Sequence, residues 1–487
     1  MFHSPAIPTP ENEKNNSMFH VKHSLLHNFK ALSWRAGVKH FIKTAKLHEV
    51  LFYLFVFLIP IQTRILYNPE KGYIDWYFSY HLGFFLYLSD IVFITLIVVW
   101  FLIEKPVFNP PATQSGERAG IKLRSNRLIL ALFALILVTL FHVKRLDIGI
   151  YETIKWLEVL LLVWYISSMF HKKHVFQVTL SILFISGVFQ GILAISQFHV
   201  QHGLSLSFLG EYIAPICTSG LATINVMGSK IIRAYGTFPH PNVLGAFLTL
   251  SLINGYYLVS RASKYTKLLI GLGIILIISA VFLTFSRAAW FTSGAVSLVF
   301  LGYYLKSYFK KHDSKLNLVI LLTAIVVSCG TIYFTYNDLL VSRATEDINT
   351  TAISSRSFFN KNGLEIFYKS PLLGVGVGNY VVVAKDSFDL ESWQYQPPHN
   401  IFIFLAAELG ILGVALFIII LIEILKKAWE QKNFLAFTLF TTMIIFILLS
   451  NFDHYFVTIQ QGRLMFFTVL GLLIATQNLN HNHVSPD

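Results

Sequence analysis

Charge and cysteine are scarce in this sequence. Of 487 residues, 13% are Asp, Glu, Lys or Arg, against roughly a quarter in soluble domains. That scarcity excludes an ordinary water-facing globule. Cys217 and Cys329 are the only cysteines, too few for a disulfide framework or a thiolate metal cage. A signal peptide is not expected either, because the first apolar run starts near residue 50, behind a polar leader. What the chain has instead is 55% hydrophobic residues, with 44 Phe and 22 Tyr. Such an aromatic load suits lipid-facing and interfacial positions. Apolar runs long enough to cross a bilayer recur from residue 50 to residue 476.

At roughly twenty residues per run, the pattern predicts an all-α polytopic membrane protein with about twelve transmembrane helices. The expected limits are 50–66, 83–103, 128–142, 152–169, 176–198, 242–259, 268–285, 288–305, 318–336, 400–424, 434–450 and 463–477. The formal net charge of +13 would suit a nucleic-acid partner. However, the basic residues sit between apolar runs, where they act as topology signals. With the N-terminus in the cytoplasm, the inner loops hold Lys172 and Lys173, then Arg261, Lys264 and Lys267, then Lys306, Lys310 and Lys311, then Lys426, Lys427 and Lys432. The positive-inside rule therefore predicts that both termini are cytoplasmic.

Three regions follow: a basic cytoplasmic leader over 1–49, a membrane domain over 50–477, and a cytoplasmic tail over 478–487. Within the leader, residues 18–47 read equally as an amphipathic segment on the inner leaflet or as a disordered stretch. Two outer segments, about 199–241 and about 337–399, are long enough to be expected either functional or disordered. The second is expected to be partly helical, with Ser354 or Ser355 as a cap and Pro371 as the stop.

Four polar stations fall on the predicted outer face. "RAYGTFPHPNVLG" carries Arg233, His240 and Asn242, and "TFSRAAW" carries Arg287 in a tight turn. Arg356 lies in the long loop, and "PPHN" ends in His399 and Asn400. An arginine fork binds phosphate oxygens in pairs. Arginines gathered near a membrane surface suggest an anionic partner such as a pyrophosphate. Any one of them also reads as a residue snorkelling to headgroups. Arg287 resists that reading, since positive residues are disfavoured on the outer side. His399 is the candidate neutral-pH base, although an interfacial His also serves as a plain helix cap. His240, Asp453 and His454 are its rivals, and the "NFDHY" pair could orient a base or bind sugar hydroxyls. "GVGVGNY" lacks the strand and helix of a dinucleotide site and reads as a flexible turn. Asp90, Glu152, Lys155, Glu158 and Glu408 lie within or near spans. They read as a buried ion-pair ladder around Lys155 or, alternatively, as a proton or ion pathway.

Taken in order, "RAYGTFPHPNVLGAFL", "TFSRAAW", "SPLLGVGVGNY" and "PPHNIFIFLAAELGILG" resemble the O-antigen ligase and polymerase superfamily over about residues 230–425. The resemblance implies a membrane glycosyltransferase related to the C-type fold, with its long loop in the periplasm. Such an enzyme takes a glycan from an undecaprenyl-pyrophosphate carrier at the outer face of the cytoplasmic (inner) membrane. Family ligases pass the glycan to lipid A core in lipopolysaccharide synthesis, polymerases pass it to another carrier-linked repeat, and related members pass it to protein hydroxyls. Residue by residue, the resemblance implies that Arg233 and Arg287 meet the donor phosphates and that His399 activates the acceptor. Arg356 matches a basic loop position. Asn400, His240, Asn242, Asp453 and His454 are the further substrate-binding candidates. No cofactor and no metal are expected, and direct displacement would invert the anomeric centre. The alternatives are a polymerase of the same superfamily, a polytopic transporter, or a non-catalytic assembly protein. A transporter is expected to hold its polar groups near mid-membrane rather than on one face.

Overall fold

The computed structural model describes residues 46–104, 116–170, 173–211, 220–226, 228–310, 315–345 and 352–479. The leader to residue 45, including most of the 18–47 segment, lies outside the described residues, as do Cys217 and the tail from residue 480. The chain is a helical multi-pass membrane protein. The long helices are α1 (Leu47–Leu58), α2 (Leu88–Glu104), α3 (Gly116–Thr139), α4 (Leu146–Met169), α5 (Lys173–Val200), α6 (Pro241–Val259), α7 (Lys264–Leu283), α8 (Arg287–Phe309) and α9 (Lys315–Thr345). After α10 (Ala352–Lys369) and α11 (Tyr380–Ser387) come α12 (Ile401–Glu430), α13 (Phe434–Leu449), the single turn α14 (Tyr455–Thr458) and α15 (Gln460–Leu479). A helix lies on each run expected to span. By length and composition, six helices among the described residues are long and apolar enough to cross a membrane: α5, α6, α7, α8, α9 and α12.

The first two expected spans need correction. Helix α1 stops at Leu58, before Pro60, which has no N–H to continue a ladder. Residues 64–67 then leave the helical path as strand β1 (Arg64–Tyr67), which pairs antiparallel with β4 (Phe84–Tyr87). Between them lies a smaller pair, β2 (Tyr73–Ile74) with β3 (Tyr77–Phe78). The tail of the 50–66 run and the head of the 83–103 run thus form a ribbon at the bundle end. Asp90 fixes the start of α2 by accepting from the Tyr87 amide at 2.9 Å.

The connections gather at one end of the bundle, as alternating helices require. The Gln62 amide donates to Leu209 O, the Arg145 amide to the Asn379 side chain, and the Ala234 amide to Leu283 O. A second hairpin, β5 (Thr223–Val226) with β6 (Ser229–Ile232), delivers the chain to α6. That helix forms the centre: apart from Asn242, every residue from Pro241 to Val259 is buried. It packs on α5, α7, α8 and α13. Small residues allow close approach, and a Cβ at Gly187 of α5 would lie 2.2 Å from Ser251 of α6. Ser251 in turn donates to Leu183 O at 3.1 Å.

Helix α12 breaks at Gly410, with φ 66° and ψ −171°. Into the break docks the segment after Pro371, including the GVGVGNY stretch (374–380) that the sequence suggested was a flexible turn. The Val375 amide donates to Ala407 O and the Gly376 amide to Glu408 O, each at 2.9 Å. The Glu408 carboxylate accepts from the Gly378 amide at 3.0 Å and the Tyr380 amide at 3.2 Å. The carboxylate inside an apolar run therefore anchors a backbone loop.

Candidate active site

Where the connections gather, the helix ends enclose a cavity of about 900 Å³. That lies at the upper end of the range usual for small-molecule sites. Arg233, Arg287, Arg356, His240, Asn242, His399, Asp453 and His454 all line it. Asn400 does not line it. Its side-chain oxygen caps α12 instead, accepting from the Phe402 and Ile403 amides at 2.9 and 3.2 Å.

A hydrogen-bonded chain joins the first and last stations. Arg233 follows β6, and its Nε donates to Thr284 O at 2.6 Å. Its Nη2 donates to the Asn242 oxygen at 3.0 Å, and the Asn242 amide donates to Asp453 Oδ2 at 3.2 Å. Asp453 Oδ1 lies 3.4 Å from His399 Nδ1 and 3.9 Å from His454 Nε2. The backbone produces this meeting: the Ile401 amide donates to Ser450 O at 2.9 Å, tying the start of α12 to the end of α13. His399 Nδ1 is buried without an aligned hydrogen-bond partner, so its contact with Asp453 is electrostatic at this separation. Loose contacts of this kind often tighten only when substrate binds.

Burial alone would raise the Asp453 carboxyl, but His399 first, then His454 and His240, hold it well below the usual carboxylate range. The other rings go the opposite way. Burial lowers His240 to about 3, helped by Arg233, and lowers His454 to about 4 against the pull of Asp453. Both also have a ring nitrogen committed. His240 caps α6, its Nδ1 accepting from the Asn242 amide at 3.1 Å, and His454 Nδ1 meets Thr458 Oγ1 at 2.7 Å. His399 has no such competing hydrogen bond.

Arg287 is the first residue of α8, where the helix dipole disfavours a cation. It is half-buried, as is Arg356 on α10. Among the described residues neither side chain has a hydrogen bond or an ion pair, and both line the cavity. The preceding turn is strained: Phe285 takes φ 48° while fully buried. Two half-buried cations lining one cavity, paired with no carboxylate among the described residues, are the feature most in need of a ligand.

Sequence reading missed several lining residues. His81 packs edge-on to His454 at 5.6 Å between ring centroids. Arg64, Arg343 and Arg463 also line the cavity. The signal that flagged Arg287, a basic residue outside the inner loops, applies equally to Arg64 and Arg343. The expected ladder around Lys155 is rearranged. Lys155 pairs with Asp90, and with Glu158 at 3.6 Å, while Gln460 donates to both carboxylates. Glu152 turns away to Arg463. These pairs fasten α2, α4 and α15 beneath the cavity.

His399, Asp453 and His454 offer ligand atoms within 4.8 Å of one another, a set able to hold a metal ion. The Thr458 contact engages His454 Nδ1 and leaves Nε2, which faces Asp453, as that ring's ligand atom.

No curated protein sequence matches the chain. Residues 272–418, which include Arg287, Arg356 and His399, match the family described as O-antigen ligase; the match supports the resemblance to the O-antigen ligase superfamily read from the motifs, over that segment.

Proposed function

We propose that this chain transfers a glycan from an undecaprenyl-pyrophosphate-type carrier to an acceptor hydroxyl, at the outer face of the cytoplasmic membrane. The observation that supports this reading is the convergence of Arg287 and Arg356, lacking protein partners, with His399 beside the Asp453 carboxylate in one cavity. The leaving group is already a stable anion, so no strong general acid is required. The arginines would bind its oxygens as charge develops, with Arg233 held behind them through Asn242. His399 would accept the acceptor's proton while the new C–O bond forms and the sugar–phosphate bond breaks. Asp453 would stabilise the imidazolium. Attack opposite the leaving group inverts the anomeric carbon.

The test uses purified protein and lipid-linked glycans extracted from the cell that natively expresses the chain. Transfer should proceed without an ion gradient and survive a chelator. Loss of transfer with chelator would point to a metal at His399, Asp453 and His454. Accumulation of intact lipid-linked glycan in sealed vesicles, without transfer, would favour a transporter. Arg287→Ala should cut donor use about tenfold or more, the scale of a lost charge-assisted bond. Arg287→Lys should restore part of it, because charge survives while the fork is lost. Wild-type donor use by Arg287→Ala would remove the phosphate role. Product size separates ligase from polymerase, a single addition against a ladder.

Orientation has its own check. In a background without Cys217 and Cys329, Asp389→Cys should react with an impermeant thiol reagent in intact cells, and Ser263→Cys should not. Both positions are exposed, one at each end of the bundle. The reverse labelling would put the cavity in the cytoplasm and exclude an outer-face donor.

A further inference from the structure

The phosphate and proton chemistry leaves one part of the cavity wall unused. Two outer segments far apart in sequence build it. Tyr77, Tyr80 and Phe85 come from the β1–β4 ribbon, and Trp393 and Gln396 come from the stretch before His399. Ser392 Oγ donates to Asp75 Oδ2 at 2.6 Å, and Gln396 Nε2 to the Tyr77 hydroxyl at 3.4 Å, so the two segments are locked together. Tyr80 is 51% exposed and Trp393 48% exposed, although both line the cavity. Arg64 lies among these rings. Its guanidinium carbon is 4.4 Å from the Phe85 centroid and 5.0 Å from that of Tyr80, and its Nη1 donates to the Tyr87 hydroxyl at 3.1 Å.

This surface combines half-exposed aromatic faces with fixed donors at their edges. A bare hydrocarbon tail has no use for the Gln396 amide, the Tyr77 hydroxyl or the Arg64 fork. A phosphate has no use for the rings. A pyranose ring matches both halves: its axial C–H face stacks on an aromatic ring, and its equatorial hydroxyls reach out to donors at the rim. Tyr and Trp suit the task because they present large, stiff faces with a polar handle.

We propose that Arg64, Tyr77, Tyr80, Trp393 and Gln396 form a subsite for pyranose rings of the glycan, beyond the sugar at which transfer occurs. The proposal rests on the glycosyltransferase reading for its reaction, but the recognition can be measured without transfer. The rings belong either to the donor glycan or to a glycan acceptor, since the same chemistry serves both.

Trp393→Ala and Tyr80→Ala would be compared with Trp393→Phe, which keeps an aromatic face, and with Tyr67→Ala. Tyr67 is 69% exposed and does not line the cavity. The donors are the native cell's lipid-linked glycans, fractionated by length. The free probe is oligosaccharide released from them by mild acid. With long donors, kcat/KM should fall about tenfold in both Ala variants, the scale of losing an aromatic face that the ligand covers. It should hold in the Phe and Tyr67 variants, and single-sugar donors should be used as by wild type. That pattern assigns the rings to the donor. A loss that instead follows the KM of an oligosaccharide acceptor, with single-sugar donors, supports the subsite and assigns the rings to the acceptor. Unchanged kinetics for every donor and acceptor would overturn the subsite and leave the transferase reading standing. An equal loss for single-sugar donors in folded variants would also overturn it, because the ledge would then hold the carrier lipid. If the wild type transfers nothing, the transferase reading fails, and titration with the free oligosaccharide decides the subsite alone. Binding lost in Trp393→Ala but kept in Trp393→Phe supports it, and absence of binding to wild type overturns it.

Discussion

His399→Ala should bind lipid-linked donor nearly as well as wild type and transfer its glycan about 10²–10⁴-fold more slowly, the usual cost of losing a general base. The expectation rests on elimination as well as position. His240 and His454 line the same cavity, but burial keeps them neutral down to about 3 and about 4, and each has a nitrogen committed to a local bond. Neither changes protonation near neutral pH. His399 stands against a carboxylate that stays ionised throughout that range. Asp453→Asn should keep the side-chain shape, lose the charge beside Nδ1, and transfer more slowly than wild type but faster than His399→Ala. The loss follows because the proton accepted from the acceptor would leave a cation without its neighbouring anion. Donor binding and single-turnover transfer need measuring on the same purified variants, after each is shown to be folded. Near-normal transfer by His399→Ala would end its assignment as the base.

The positions of the long apolar helices were legible because lipid leaves the backbone only one economical option, an apolar run long enough to satisfy itself. Where a second option existed, the sequence misled. Residues 62–67 and 83–87 extend apolar runs, yet Pro60 stops the first helix and the two tails pair with each other. Hydropathy alone does not separate a short buried strand from a helix end. The arginine and histidine stations were visible as polar residues at span ends. Their meeting in one cavity follows from tertiary links such as Asn242 to Asp453, 211 positions apart, which no local pattern encodes. Asn400 looked like half of a functional pair, whereas the fold uses it as a cap. Arg64 escaped because its strand was assigned to the first span, and His81 because it falls in the short connection between the first two expected spans. Glu408 was ambiguous for a related reason: a carboxylate in an apolar run suggests ion traffic until its backbone partners are known.

Those partners make Gly410→Ala the substitution expected to damage the protein most. A Cβ there would lie 2.1 Å from Leu372 O and 2.3 Å from Leu372 C, both backbone atoms that no rotamer change can move. The backbone angles, φ 66° and ψ −171°, fall in a region essentially reserved for glycine. Strain and overpacking together should cost about 4 kcal/mol, enough to threaten a fold of ordinary stability. The cost spreads because the break does several tasks at once. It frees Ala407 O and Glu408 O to receive the 374–376 backbone, lets the Ile411 amide donate to Pro371 O at 2.8 Å, and turns the Glu408 carboxylate towards Gly378 and Tyr380. Gly374 meets it from the other side, at φ 68°, with room for no Cβ. The same change at Gly302 is the control. That residue is exposed on α8 with nothing within 4 Å of its Cβ position, so alanine should leave the melting temperature unchanged or raise it slightly. Gly410→Ala should give little folded protein, and what folds should melt well below wild type in detergent. A melting temperature equal to that of wild type would mean that the loop does not need the break. Because the half-helix before the break begins two residues after His399, any folded Gly410→Ala protein should also transfer poorly, with the base displaced from Asp453.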